Sequence, residues 1–458
     1  VKIPELPPTM EAYISGAVAA ANAKTPSLTN FMPWIGMGLK PFDAKGRYLH
    51  WDELKYKEPP GTLTPEEYWL ATKQARMSNA ETLPLIDKDG VNFHYCPNAI
   101  ITADLLTISE QAKGAVAADP RVKDPSTQRT YLINSLIEEA ISSSQLEGAS
   151  TTTRVAKEMI RTERAPKTHS EQMILNNYRA MLFIKQHLDD NLTPAMIFEL
   201  HRLLMEGTVE KEDLHKVGQF RAATDDIAVV DNMTGVSLHI PPTAGELRGR
   251  LKALCDFTNG KTGDQRLPDV IRAILVHFMV GYDHPFFDGN GRVARALFFW
   301  MVVRSGFWLL EYTSISSVIK KAEPSYVRAY MHSETDGGDV TYFIVHQLDV
   351  IKKSIARLHS YLARKTREQH QVRDALAKSG IAALLNHRQL ALLHNAIEKP
   401  GVQYTVKSHQ TSHGVAYETA RSDLLALSET YGLLQQSRDG KVRLFLSPAD
   451  IGERIKAL

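Results

Sequence analysis

Five polar side chains with chemistry to offer fall in one short run, His284-Pro285-Phe286-Phe287-Asp288-Gly289-Asn290-Gly291-Arg292-Val293-Ala294-Arg295. An imidazole, a carboxylate, an amide and two guanidiniums this close can hold a polyphosphate and its metal ion beside a general base. Gly289 and Gly291 let backbone N–H groups face outward, and a helix beginning here adds partial positive charge, so the segment makes an anion cradle. Asp288 at the mouth suits Mg²⁺, which takes one or two carboxylates together with phosphate oxygens. Arg292 and Arg295 are i, i+3 neighbours on one helix face, within common reach of bound phosphates. His284 flanks the cradle, where an imidazole can accept a hydroxyl proton near neutral pH, an effect worth about 10²–10⁴-fold.

The elements that must position these groups are legible around them. Residues 267–282 read as a helix with Ile274, Leu275, Phe278 and Met279 inward. His284-Pro285 ends it, because the residue before proline is pushed out of the helical region. Residues 288–291 form a tight turn, and a new helix runs over 290–305. Upstream, 227–230 and 236–240 flank Asp231-Asn232-Met233-Thr234-Gly235 and are closed by Pro241-Pro242: strand, turn, strand. A lone hairpin in a helical context needs a surface to lie on. Residues 100–215 are helical, with Leu132, Ile133, Leu136, Ile137 and Ala140 in one stripe and a further helix after Thr193-Pro194 carrying Ile197, Leu200, Leu203 and Leu204 inward. Thr64-Pro65-Glu66-Glu67 is a helix start with Thr64 at N-cap. Residues 1–60, with Phe31, Trp34, Phe42, Tyr48 and Trp51, read as an irregular arm with short elements, packed on something larger.

Toward the C-terminus, 364–373 is charged and reads as an exposed helix end or linker. Helices over 388–398 and 416–430, then strands over 433–436 and 442–446 about Ser437-Arg438-Asp439-Gly440, give the winged-helix pattern. The second helix carries Arg421 against Glu418, Asp423 and Glu429, poorly suited to phosphates, although Arg438, Lys441 and Arg443 make the wing basic. DNA is therefore a disfavoured partner, and protein docking or dimerisation is the expected role.

The bounds agree with a soluble globular protein. The 458 residues are 43% hydrophobic and 23% charged, and 54 Lys and Arg against 52 Asp and Glu leave no global charge to attract nucleic acid or membrane. Cys96 and Cys255 are too few for a disulfide scaffold and read as free thiols. The first residues lack the apolar core of a signal peptide and no run is long enough to span a bilayer, so a cytoplasmic protein without membrane contact is expected. His94, His201 and His239 lack metal-ligand spacing, which argues against zinc. His277 is expected in helix packing, and Arg221 of Gly218-Gln219-Phe220-Arg221 in a structural role.

At 284–295 the chain resembles the Fic family, whose motif HPFx(D/E)GNGRxxR it matches at every defined position. The resemblance extends from about residue 130 to 350. It implies that His284 deprotonates a target hydroxyl, that Asp288 holds Mg²⁺, and that Asn290 with the backbone of Gly289 and Gly291 positions the α- and β-phosphates. Arg292 would contact the phosphates, Arg295 would bind the γ-phosphate, and Phe286 would be a core anchor. The nucleotide would be ATP, and AMP would pass to a Ser, Thr or Tyr hydroxyl of a target protein with release of pyrophosphate. The branch that phosphorylates instead carries Lys at the position of Gly291, which favours adenylylation here. Ser143-Ser144-Gln145-Leu146-Glu147-Gly148 resembles the family's inhibitory motif (S/T)xxxE(G/N). Ser143 and Glu147 share a helix face, and a carboxylate on Arg295 would deny that guanidinium to the γ-phosphate. The hairpin resembles the family's flap, which takes up an extended target segment by strand addition through Ile227, Val229, Leu238 and Ile240.

The expected fold class is thus mainly α: a Fic-type helical bundle with a β-hairpin flap, plus a C-terminal winged-helix (α+β) domain. The expected divisions are an extension over 1–100, a catalytic domain over 101–375 with the inhibitory helix at about 132–148, and the winged helix over 380–458. Beyond the target protein, self-modification and a second copy of the chain are candidate partnerships. Two other functions fit the same residues: AMP removal with Glu147 aligning a water, and a DNA-binding regulator that carries this domain.

Overall fold

A computed structural model of the chain describes residues 2–20, 32–34, 37–114, 125–161, 164–231, 234–262, 266–378, 380–398, 401–439 and 442–457. Phe31 of the arm, Asn232 and Met233 of the hairpin turn, and Gly440 and Lys441 of the wing lie outside them. Helix predominates, and the chain divides into two units, Val1–Ala356 and Arg357–Leu458. Among the described residues no helix is long and apolar enough to cross a membrane.

The first unit is built around two helices packed along each other, Asp269–Asp283 and Asn290–Arg304. Nearly every residue of both is buried, the polar Arg272, His277, Asn290, Arg292 and Arg295 included. Helix Pro194–Met205 packs on the second of them, with Ile197, Leu200 and Leu204 fully buried. Its start is set locally: Thr193 Oγ1 accepts from the Met196 N–H at 3.2 Å and Pro194 occupies the first turn, where its missing N–H costs nothing. Helix Pro125–Leu146 packs against His169–Gln186 and buries Leu136, Ile137, Ala140 and Ile141. Helix Pro65–Met77 begins with Thr64 at N-cap as expected, and Glu67 completes a capping box with it.

Several expectations need correction. The hairpin strands cover only Val229–Val230 and Ser237–His239, and their register shifts between Val229 and Val230. Ile227 and Ile240 lie outside them, because Asp226 turns the chain at φ 44° just before Ile227 and Pro241 has no N–H to extend the ladder. The hairpin is also not alone: Glu81–Ile86 pairs antiparallel with Asn92–Tyr95, with Leu83 and Leu85 inward. The arm does carry the short elements expected of it, helices Met10–Ala20 and Trp51–Leu54, and Trp34 and Trp51 pack in one core with Trp69. The charged stretch 364–373 lies in the C-terminal part of the long helix Thr341–Lys378, the exposed helix end of the two alternatives and not a linker.

The second unit contains helices His387–Glu398, Val406–His413 and Tyr417–Leu425 and an antiparallel sheet ordered Gln403–Tyr404, Val442–Leu446, Gln435–Asp439. Gly414, at φ 63°, ends the middle helix in the left-handed region that glycine enters without strain. Leu393, Leu424, Leu427, Leu433, Phe445 and Ile455 form the core. Beside it the buried Asp423 carboxylate accepts from Arg388 Nε at 2.7 Å and Asn386 Nδ2 at 2.7 Å.

Candidate active site

His284 caps the helix Asp269–Asp283 at φ 47°, ψ 56°. Proline at 285 does drive this residue from the right-handed helical region, but into the left-handed one and not the extended conformation expected before proline. A non-glycine residue there costs roughly 1–2 kcal/mol and persists only if its surroundings hold it. Arg221 supplies part of that hold. Its Nε donates to the His284 carbonyl at 2.7 Å, its backbone N–H to the Pro285 carbonyl at 2.9 Å, and its Nη2 to the Pro242 carbonyl. The structural role expected of Arg221 is therefore specific: it fixes the peptide of the candidate base.

The imidazole itself is set by a neighbour. His284 Nδ1 lies 3.0 Å from the Gly281 carbonyl, which can only accept, so Nδ1 carries the proton and Nε2 the lone pair. Burial lowers the pKa of His284, outweighing the Gly281 carbonyl that favours the charged ring. A neutral ring with a free acceptor nitrogen is what a general base needs.

The turn after it is tied by its own side chains. Asn290 Oδ1 accepts from the Phe286 N–H and Nδ2 donates to the Phe286 carbonyl, both at 2.9 Å, so this amide shapes the loop. Gly289, at φ 79°, is the N-cap of Asn290–Arg304, and its N–H reaches Asp288 Oδ1 at 2.6 Å. Phe286 is fully buried and stacks on His201 with centroids 3.9 Å apart. His201 accepts the Gly218 N–H on Nδ1 at 2.9 Å, leaving Nε2 to donate to the Asp288 carbonyl at 3.0 Å. Burial lowers its pKa to about 4, so it is a neutral brace of the loop. Sequence spacing could not reveal this role, since the two partners sit far along the chain.

Asp288 is the exposed member of the loop, its side chain 55% accessible, with Oδ2 3.1 Å from Arg292 Nη2. One accessible carboxylate beside a helix N-terminus fits Mg²⁺ held mainly by phosphate oxygens and water. Arg292 is almost wholly buried, turned to Asp288 and to the Leu204 carbonyl at 3.3 Å. Arg295 faces helix Pro125–Leu146 instead: Nε donates to Ser143 Oγ at 2.9 Å, and Nη2 to the Ser143 carbonyl at 3.0 Å and Glu147 Oε1 at 2.7 Å. The two arginines thus point to different partners. Burial disfavours the Glu147 carboxylate, but Arg295 and then Arg292 outweigh it and hold its pKa below the ordinary value.

Gly291 makes that approach feasible. A Cβ there would stand 2.9 Å from Arg295 Nη1 and press on Glu147 Oε1. One turn back, Glu139 is 3% exposed and accepts from Ser314 Oγ at 2.7 Å, the Ser316 N–H at 3.1 Å and Ser316 Oγ. This fastening of the Ser143 helix had no local signal in the sequence.

His284, Gly291, Arg295, Glu147, Val229 and Leu238 line one cavity of about 210 Å³, together with Tyr326, Tyr330 and Glu334. Ile227 and Ile240 are outside this lining, and Ile240 is 63% exposed. The hairpin is held over the cavity by His239, whose Nε2 donates to the Tyr282 carbonyl at 2.7 Å and whose Nδ1 lies 2.8 Å from Glu334. His277 is fully buried, with Nε2 2.9 Å from Tyr326 Oη, in keeping with helix packing.

With this geometry in place, known proteins can be set beside it. Residues 191–302 match the Fic/DOC family. The chain carries a Fic domain. It is 33% identical over 141 residues to the protein adenylyltransferase Fic of Drosophila willistoni, covering 30% of this chain and 25% of that protein. It is 27% identical over 171 residues to the protein of the same name from Nematostella vectensis, covering 36% and 37%. The chain thus spans about a quarter to a third of these curated relatives. A solved Fic family protein from Desulfovibrio desulfuricans superposes with a TM-score of 0.49 at 18% identity, over 77% of this chain and 97% of that one.

Proposed function

We propose that this Fic domain is a protein adenylyltransferase restrained in cis by Glu147. The observation that carries the reading is that a neutral imidazole with a free Nε2 and the Glu147–Arg295 pair, at 2.7 Å, share one cavity. His284 Nε2 takes the proton of a Ser, Thr or Tyr hydroxyl as that oxygen attacks the α-phosphorus of ATP. The bond to the β-phosphate oxygen breaks, pyrophosphate leaves, and AMP stays on the target. Gly281 keeps the base in the required tautomer, and Arg221 keeps its peptide in place. The N–H groups at the start of helix Asn290–Arg304 face the phosphates, with Asn290 shaping the loop from behind. Mg²⁺ on Asp288 would neutralise phosphate charge. Val229 and Leu238 of the hairpin present the target segment to the cavity by strand addition.

Arg295 is the group denied to this reaction at rest. Its Nη2 is occupied by Glu147 and by the Ser143 carbonyl, so the γ-phosphate finds no guanidinium. The test is transfer of label from ATP marked at the α- or the γ-phosphate, using the Glu147→Gly chain. Label from the α-position only, lost in His284→Ala while nucleotide binding remains, is the expected result. Transfer from the γ-position would mean phosphorylation, and transfer that survives His284→Ala would remove its role as base.

One observation keeps a second reading in view. Glu147 lines the same cavity as His284 and is a quarter exposed, so it could align a water for AMP removal from a modified target. For residues 380–458 we infer a winged helix, from the short turn through Gly414 between two helices and the three-stranded sheet beside them. Arg421 is paired with Glu418 at 3.1 Å, which leaves the second helix little charge for DNA and favours a protein partner, including a second copy of the chain.

A further inference from the structure

The residue immediately before the candidate base is a buried carboxylate that the proposed transfer does not use. Asp283 is 4% exposed, at the end of helix Asp269–Asp283. Arg250, on helix Leu247–Thr258 and itself 8% exposed, donates from Nε to Asp283 Oδ1 at 2.8 Å. Its other two nitrogens are also committed, Nη2 to the Ile86 carbonyl at 2.6 Å and Nη1 to the Asp87 carbonyl at 3.0 Å. Both carbonyls belong to the turn region of the hairpin Glu81–Ile86/Asn92–Tyr95, far from the motif in sequence. The same turn makes a second tie, the Lys88 N–H to Tyr282 Oη at 3.0 Å. Hairpin turn, Arg250 and Asp283 therefore form one bonded chain that ends at the peptide of His284.

A buried ion pair of this kind seldom adds net stability, because two desolvated charges cost about what their attraction returns. Its planar fork, with every nitrogen engaged, does fix geometry. Geometry is what His284 requires. Its left-handed backbone must be held from both sides, and Arg221 grips chiefly the carbonyl side, reaching the Asp283 carbonyl before it only at 3.5 Å.

We propose that Arg250 is a positioning residue for His284: it clamps Asp283 to the hairpin turn at 86–88 and so sets where the imidazole stands. This rests on the reading of His284 as the base. The N-terminal hairpin thereby becomes a working part of the site.

The test uses the full chain with Glu147→Gly as parent, adding Arg250→Lys, which keeps the charge and loses the fork, or Asp283→Asn, which keeps the shape and loses the charge. A milder third variant, Tyr282→Phe, removes only the acceptor for Lys88. Rates of AMP transfer, KM for ATP and Tm are measured for each. A misplacement of about 1 Å can cost around 100-fold in rate, so kcat should fall about 10–100-fold in the first two variants and less in Tyr282→Phe. KM for ATP should stay within about twofold, since no phosphate contact is touched. Combining Arg250→Lys with Asp283→Asn should cost no more than the worse single change, as expected of groups that act as a unit. Unchanged kcat in variants that fold overturns the inference while leaving the base in its role, as does a fall in kcat that only tracks loss of Tm. A silent parent overturns the reading of the site, and this inference with it.

Discussion

Gly291→Ala is a small change at the point where the proposed restraint is tightest. The residue lies in the first turn of helix Asn290–Arg304, so its backbone accepts alanine, with a gain in helix propensity of about 0.5–1 kcal/mol. The added methyl carbon would stand 2.9 Å from Arg295 Nη1 and 3.3 Å from Glu147 Cδ, and nearer still to Glu147 Oε1. The carboxylate is the far end of a flexible side chain, so it yields, moving by about 1 Å to restore ordinary contact. The 2.7 Å hydrogen bond to Arg295 then passes out of range. A charge-assisted hydrogen bond contributes about 1.5–3 kcal/mol, so the restrained state loses roughly that much relative to the open one. At about 1.4 kcal/mol per factor of ten, transfer should rise about 10–150-fold. The assay is AMP transfer from α-labelled ATP by four chains: the parent, Gly291→Ala, Glu147→Gly and the pair combined. The double variant reports any crowding of the phosphates by the methyl group. If Gly291→Ala is as slow as the parent while the double variant matches Glu147→Gly, displacement of the carboxylate has no consequence and the reasoning fails.

Other expectations follow from the same contacts. Glu139→Ala removes the acceptor for Ser314, for Ser316 Oγ and for the Ser316 N–H, leaving buried donors unmet at a cost of about 1–3 kcal/mol. It should lower Tm by a few degrees and raise transfer in a chain that keeps Glu147; unchanged transfer would show that this fastening does not govern the restraint. For pH, burial lowers the His284 pKa, so the base stays neutral as pH falls through its ordinary value near 6.5. Glu147→Gly should therefore keep a flat rate from about pH 8 to 6.5, and an inflection inside that window would contradict the assignment. The Glu147 carboxylate is held below its ordinary value, so its contact with Arg295 is present above the unfolded carboxylate pKa and lost only as pH falls through the depressed one. Mild acid, near pH 6, should not release the parent; a rise in labelling there would count against the pair as the restraint.

The parts of the site that were legible in the sequence are those whose partners are local. Thr64 was legible as an N-cap and 288–291 as a turn opening a helix, whereas the closure of the loop by Asn290 on the Phe286 backbone was not read. Arg295 and Glu147 are distant, yet their juxtaposition was expected because each sits in a recognisable motif. What could not be read depended on tertiary contact without a motif. Arg250 meets Asp283 from another helix, His201 meets the Asp288 carbonyl, and Glu139 meets Ser314 and Ser316. The hairpin of Glu81–Ile86 did leave a signal, Leu83 and Leu85 alternating ahead of Asp87-Lys88-Asp89-Gly90, but Pro84 within the strand weakens it. His284 departs from the pre-proline rule because Arg221 and a helix end impose a conformation that local sterics alone disfavour.

The central claim is that one carboxylate holds a competent adenylyltransferase at rest. It is tested most directly by the rate of AMP transfer from α-labelled ATP in the parent and in Glu147→Gly, side by side with Mg²⁺ present. Weak self-labelling by the parent and strong labelling by the variant, with Tm little changed, is the predicted result. Equal and low labelling by both, in a variant that folds and binds ATP, would contradict it.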